Sequence, residues 1–307
     1  MTGLALALLL AAPQQRPTFE VSVESVYVDV FVTDGGAPVL GLKAADFELK
    51  DDGVRHEVEL ASVESLPLAT LLVLDTSGSV AGEKLEQLRA GVRTVLRGLG
   101  PADDVGLVTF NEEVRVRVPP GADATRVESA LAAVHPAGAT ALYDAIYSGS
   151  ILASDRGRSL LVVFTDGEDN LSWLDHADVA RVLEVSNVLL QMVGIGTPGA
   201  GSEGEVDPAT GFLRGVRRSS RPEPPHVVTL RRLAESTGGR FWDAGNPRGI
   251  GSAFEAMVAA MKTRYVLRFD PDRGRRDGRH EIEVKLRGKR GRVHCRKAYF
   301  VAKTGGR

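Results

Sequence analysis

A single cysteine, Cys295, in 307 residues excludes an intramolecular disulfide and any cysteine-rich zinc site. The histidines are equally unhelpful to zinc: His56, His135, His176, His226, His280 and His294 lie far apart, with no pair at the i, i+3 or i, i+4 spacing of a helical site. Each reads as a surface or hydrogen-bonded histidine. Charge of one sign is also missing, since 38 basic residues face 40 acidic ones for a formal net charge of −2. The basic residues are interleaved with apolar ones, so no nucleic acid is expected as a partner. Long apolar runs are scarce. The one at the start, Met1-Thr-Gly-Leu-Ala-Leu-Ala-Leu-Leu-Leu-Ala-Ala-Pro13, has signal-peptide length and is too short to cross a bilayer. Residues 1–17 are therefore expected to be a leader, the protein to be exported (periplasmic or extracellular), and no transmembrane segment to remain once the leader is removed.

What is present is an ordinary globular balance, 43% hydrophobic and 25% charged, sufficient for a large core. Residues 18–65 alternate in the manner of strands: Val26, Val28, Val30 and Val32 share one face, Tyr27, Asp29 and Phe31 the other. Asp34-Gly-Gly and Asp51-Asp-Gly53 punctuate them as turns. The same texture returns in residues 262–307, where Tyr265, Leu267 and Phe269 alternate, as do Ile282, Val284 and Leu286.

Residues 66–261 keep another rhythm. Short apolar runs (Leu68–Leu74, Val105–Phe110, Leu160–Phe164, Val188–Ile195 and, more weakly, Arg240–Trp242) alternate with helical patterns. One helix carries Leu85, Leu88, Val92, Val95 and Leu99; another Leu142, Ile146, Gly149 and Leu152; a third Leu230, Leu233 and Ala234; the last Ile250, Phe254, Met257, Val258 and Met261. Val114–Val118, followed by two prolines, suits an edge strand. The expected fold class is α/β: a doubly wound, Rossmann-like, mostly parallel sheet inserted in a split immunoglobulin-like β-sandwich, whose halves are residues 18–65 and 262–307. Residues 197–225, rich in Gly, Pro and Arg, read as a long loop.

The chemistry gathers at strand ends. Leu71-Leu-Val-Leu-Asp75-Thr-Ser77-Gly-Ser79 is an apolar run that stops on an acid and then offers three hydroxyls in four positions. In an open parallel sheet, ligand sites lie outside the carboxyl ends of strands where the winding reverses. A second run, Leu160-Leu-Val-Val-Phe-Thr-Asp166, also ends on an acid, and Gly138-Ala-Thr140 precedes a helix. Were the two runs neighbours, Asp75 and Asp166 would converge. Two ionised carboxylates in contact need a proton or a cation between them. With hard oxygens alone on offer, the cation is Mg²⁺, with Mn²⁺ or Ca²⁺ as alternatives. An open position on such an ion attracts a carboxylate from a partner.

These residues resemble the von Willebrand factor A (VWA) domain. Asp75-Thr-Ser77-Gly-Ser79 is similar to its Asp-x-Ser-x-Ser motif, Thr140 to its threonine element and Asp166 to its aspartate element, the five positions of a metal-ion-dependent adhesion site (MIDAS). The flanks resemble those of bacterial exported VWA-related proteins. The resemblance implies a metal at the top of the sheet, held directly by Ser77, Ser79 and Thr140 and through waters by Asp75 and Asp166. It implies a non-enzymatic adhesion or interaction module that captures an Asp or Glu of a protein ligand.

Other chemistries fit less well. An aspartic protease needs a second Asp-Thr-Gly-like turn in an all-β chain, and Gly78-Ser-Val-Ala-Gly82 lacks the spacing of a nucleophile elbow. A metal-dependent hydrolase lacks an evident base near the motif. A scaffold working through its β flanks is the other alternative. Asp144, Glu168 and Asp169 are candidates for supporting hydrogen bonds. Trp173 is expected to pack on a helix, Trp242 to lie in the core, and Cys295 to be a buried strand residue.

Overall fold

The computed structural model describes residues 25–35, 37–62, 66–154, 158–166, 169–195, 203–206, 213–217, 223–271 and 278–301. The expected leader, Glu168 and most of the 197–225 segment lie outside the described residues. The first flank forms β1 (Val26–Asp34), β2 (Ala37–Pro38), β3 (Phe47–Asp51), β4 (Val54–His56) and β5 (Glu59–Ala61). The centre runs through β6 (Ala69–Asp75), α1 (Glu83–Gly98), β7 (Asp104–Phe110), β8 (Val114–Ala122), α2 (Ala124–Ala132), α3 (Leu142–Ser154), β9 (Ser159–Thr165), α4 (His176–Val185) and β10 (Val188–Gly194). It continues with β11 (Glu203–Val206), β12 (Leu213–Arg217), α5 (Pro225–Ser236), β13 (Phe241–Asp243) and α6 (Gly249–Lys262). The second flank gives β14 (Tyr265–Phe269), β15 (Gly278–Leu286), β16 (Arg292–Cys295) and β17 (Ala298–Val301).

The central sheet has the order β13-β10-β9-β6-β7-β8 and is parallel except for the edge strand β8. Because side chains alternate along β6, it feeds two cores. Leu72 and Leu74 join Leu85, Leu88, Val92, Phe254 and Met257 under α1 and α6, while Leu71 and Val73 join Leu142, Ile146, Val179 and Leu230 under α3, α4 and α5. Each of these buried apolar side chains contributes roughly 1.5–3 kcal/mol. The chain leaves β6 toward β7 on one side and returns to β9 on the other, so the winding reverses between β6 and β9.

Two antiparallel sheets flank this unit, β16-β1-β14-β5 and β17-β15-β3-β4, and each draws strands from both ends of the chain. They share a core of Val28, Val30, Val32, Phe47, Leu49, Leu267, Phe269, Ile282, Val284 and Tyr299. The other face of β1 looks at the α/β unit. Phe31 is part of the core beneath α1 and α6, and Asp29 pairs with Arg158 at 3.0 Å and Arg264 at 2.8 Å. Burial works to raise the Asp29 pKa, but Arg264 and Arg158 outweigh it and hold the carboxyl below its usual range.

Several expectations change. Two helices absent from the apolar patterns, α2 and α4, are present, each short and announced by its cap: Asp123 accepts from Arg126 N–H, and Asp175 with Asp178 forms a capping box. Leu152 is exposed, because the buried stripe of α3 continues through Gly149 and Ala153 instead. A hairpin of β11 and β12 interrupts the expected loop. Trp173 does not pack on a helix; it is 97% exposed. Trp242 is buried and donates from Nε1 to Gln191 Oε1 at 2.8 Å. Cys295 is only partly buried against the core of the flanking sheets, its thiol pushed up to about 11 by burial.

Candidate metal centre

Asp75 is the last residue of β6, Thr165 the last of β9, and the two strands are hydrogen-bonded neighbours. The strand-end carboxylates of residues 75 and 166 therefore meet where the winding reverses. Ser77 N–H donates to Asp75 Oδ1 at 2.9 Å and Thr165 Oγ1 donates to Asp75 Oδ2 at 2.9 Å. Ser77 Oγ lies 2.9 Å from Ser79 Oγ, which donates to Asp166 Oδ1 at 2.8 Å. The motif is thus one continuous chain of hydrogen bonds from the end of β6 to the end of β9.

The third loop is stitched to the first. Gly78 N–H donates to Gly138 O at 3.0 Å and Ala137 N–H to Thr76 O at 2.9 Å. Gly138 adopts φ +79°, a left-handed backbone that favours glycine at this turn. Thr140, buried, is gripped by its backbone: its N–H donates to Asn170 Oδ1 at 2.9 Å, and its carbonyl accepts from Asn170 and Leu171 N–H at 3.0 and 3.1 Å. Asp169 Oδ1 caps α3 by accepting from Leu142 N–H at 2.8 Å and Tyr143 N–H at 3.3 Å. Asp144 accepts from Trp173 and Leu174 N–H at 3.1 and 3.0 Å. Both carboxylates thus fasten the 169–175 loop over the start of α3 rather than sitting solvated.

One participant escaped the sequence reading. Lys84, in the first turn of α1, donates from Nζ to Asp166 Oδ2 at 2.5 Å and to Ser79 O at 3.1 Å. Its position nine residues after Asp75 gave no motif to mark it. Asp75 has no such counter-charge: among the described residues no ion pair reaches it. Burial, followed by the neighbouring charge of Asp166, pushes its carboxyl up to about 6 against the pull of the Ser77 and Thr165 hydrogen bonds. A fully buried carboxylate, penalised when ionised and set among hydroxyls, is what a hard divalent cation would relieve. The donor set of Asp75, Ser77, Ser79, Thr140 and Asp166 is all oxygen and fits such an ion.

Comparison with known proteins agrees on the fold. The profile of the von Willebrand factor type A domain matches residues 70–168. Inter-alpha-trypsin inhibitor heavy chain H2 of Sus scrofa is 25% identical over 171 residues, 50% of this chain and 18% of that protein. Heavy chain H4 of the same animal is 31% identical over 116 residues, 34% of this chain and 13% of that one. A UPF0353 protein of Mycolicibacterium paratuberculosis is 23% identical over 207 residues, covering 61% of this chain and 58% of that protein. The chain thus spans under a fifth of the heavy chains it matches. Among solved structures, a von Willebrand factor type A protein from Catenulispora acidiphila superimposes with a TM-score of 0.50 at 14% identity, covering 89% of this chain and 76% of that one. Residues 70–168 thus carry the match to the von Willebrand factor type A domain, and the switch-point strands and the structural likeness give the centre of this chain that fold.

Proposed function

We propose that this protein is a non-enzymatic interaction module, which captures an acidic side chain of a partner protein through a divalent cation at the β6–β9 switch point. Ser77, Ser79 and Thr140 are the direct ligands in this reading, Asp75 and Asp166 the carboxylates that act through waters, and Mg²⁺ the ion. The bound cation supplies an open electrophilic position for an incoming carboxylate. The observation that carries the reading is the charge count. Two carboxylates and the Lys84 ammonium leave the site at −1; a dication turns it to +1, the complement of one Asp or Glu. Hydroxyl ligands, with no histidine hydrogen-bonded to the motif among the described residues, favour binding over activation of water.

The rim suits a protein partner. Trp173, exposed at 97%, and Leu171 stand on the loop that Asp144 and Asp169 fasten beside the site, and such aromatic side chains dominate interface energetics. The wider organisation belongs to the same proposal: a leader over 1–17 directing export, an immunoglobulin-like sandwich split between 18–65 and 262–307, and the metal-bearing domain over 66–261 carried by it. No described helix is long and apolar enough to cross a membrane.

Calorimetric titration of the chelator-stripped protein with Mg²⁺ tests the site. One equivalent should bind, and Asp75→Ala should remove it while circular dichroism stays unchanged. A pulldown from secreted or cell-surface material, in Mg²⁺ and in EDTA, tests the capture; partners retained equally in both would refute it.

A further inference from the structure

We propose that Asp51, Asp52 and His280 form a second metal site, in the flanking β sheets rather than the central domain, for a late first-row divalent cation such as Zn²⁺. His280 lies 229 and 228 positions from the adjacent Asp51 and Asp52, so no local spacing announces the group. Folding brings them together because β3 and β15 pair antiparallel with Asp51 opposite Ile282. Beyond Asp51, residues Asp52 and Gly53 make a two-residue turn into β4, with φ +47° and +82°. The turn folds the Asp52 carboxylate back over His280.

The three side chains each offer one ligand atom, and these atoms lie within 4.8 Å of one another. His280 Nδ1 is 2.8 Å from Asp52 Oδ2 and 3.6 Å from Asp51 Oδ1. In a tetrahedral zinc site, with bonds of about 2.0–2.1 Å, neighbouring ligand atoms are about 3.4 Å apart, so only small adjustments are needed.

The stronger observation is an orphaned oxygen. Asp51 is 6% exposed and His280 5%, and buried Asp51 Oδ1 accepts no hydrogen bond. A single imidazole nitrogen carries one proton and can direct it at one carboxylate, here Asp52; Asp51 Oδ1 is then left 3.6 Å from that nitrogen with no hydrogen bond to accept. A buried acceptor left unsatisfied in this way is destabilising, the more so when it carries charge. A cation held by all three removes the deficit and cancels both negative charges.

The surroundings are those of an oriented site. Tyr299 Oη donates to the far oxygen, Asp51 Oδ2, at 2.8 Å, and its ring stacks on His280 with centroids 5.3 Å apart. Glu281 N–H fixes Asp52 Oδ1 at 2.8 Å, leaving Oδ2 for the ligand role. Asp52 is half exposed, which gives an ion an entry path. A nitrogen donor beside two carboxylates favours Zn²⁺ over Mg²⁺, and three protein ligands leave a fourth position to water.

Zinc titration of the chelator-stripped protein in an Asp75→Ala background, which silences the oxygen-only centre, tests the proposal with Zn²⁺ itself as probe. One equivalent should bind, and absorption at the zinc edge should report one imidazole among N and O ligands. His280→Gln, and separately Asp52→Asn at the half-exposed ligand, should weaken binding by about 100-fold or more; Tyr299→Phe should weaken it by about 10–100-fold. No bound zinc in the Asp75→Ala protein would overturn the proposal. So would undiminished affinity in an Asp52→Asn protein whose melting curve shows it folded. Neither result bears on the Mg²⁺ reading of the central domain, because that is judged from the Asp75→Ala comparison alone.

Discussion

Lys84→Gln should move metal affinity and ligand affinity in opposite directions. The Lys84 ammonium sits 2.5 Å from Asp166 Oδ2, with Asp166 nearly buried and Lys84 about one-third exposed. A cation drawing on Asp166 must share that carboxylate with the ammonium. Exposed ion pairs are worth about 0.2–1 kcal/mol, while breaking a buried one costs about 3–5 kcal/mol. This half-buried pair falls between, at about 1–2 kcal/mol. Releasing Asp166 should therefore tighten Mg²⁺ by about 5–30-fold in calorimetric titration, at 1.4 kcal/mol per decade. The loaded site would then carry a net charge near zero instead of +1, so capture of an acidic partner should weaken, with the loss steepest at low ionic strength. Weaker Mg²⁺ binding in Lys84→Gln would refute this, since it would make Lys84 a support of the site rather than a competitor. Unchanged partner affinity would show that the charge count does not govern capture.

The Asp75 carboxyl, raised from 3.8 to about 6 in the folded chain, makes the metal-free protein most stable below the unfolded pKa and less stable as pH rises through about 6; the shift corresponds to about 3 kcal/mol. Asp75→Asn should flatten that profile in thermal melts with EDTA and be the more stable protein at neutral pH, with the order reversed in Mg²⁺. Trp173→Ala should leave the melting temperature unchanged, as expected of an exposed side chain, but weaken partner binding by about tenfold or more in surface plasmon resonance. Asp29→Asn strands Arg158 and Arg264 at the junction of the central domain and its flanks, and should cost about 3–5 kcal/mol in urea unfolding. Gly91→Ala places a Cβ 2.2 Å from the Phe254 ring, where α1 meets α6, and should cost about 1–3 kcal/mol by the same measurement.

The central sheet was legible because buried parallel strands read as unbroken apolar runs. Leu71 to Leu74 and Leu160 to Phe164 are buried on both faces and border each other as expected. Their acidic ends followed from where each run stopped, so the convergence of Asp75, Ser77, Ser79 and Asp166 could be anticipated. Helices α2 and α4 were hidden because each buries only two or three residues on a short stripe; their capping aspartates were the better signal. Lys84 and the Asp51–Asp52–His280 group were invisible for another reason. Both arise from tertiary contacts, across 82 residues for Lys84 and Asp166 and 229 for Asp52 and Glu281, beyond the reach of any local period. Trp173 misled because an aromatic beside helical residues reads as core, whereas Asp144 holds that stretch of backbone outside it.

Capture of an acidic partner requires a cation seated among the hydroxyls at the ends of β6 and β9. An anomalous-difference map from a crystal soaked in Mn²⁺ tests it most directly. The predicted result is a peak at coordination distance, about 2.0–2.2 Å, from the side-chain oxygens of Ser77, Ser79 and Thr140. A map with no peak between those three residues, in a crystal where Mn²⁺ is bound elsewhere, would contradict it.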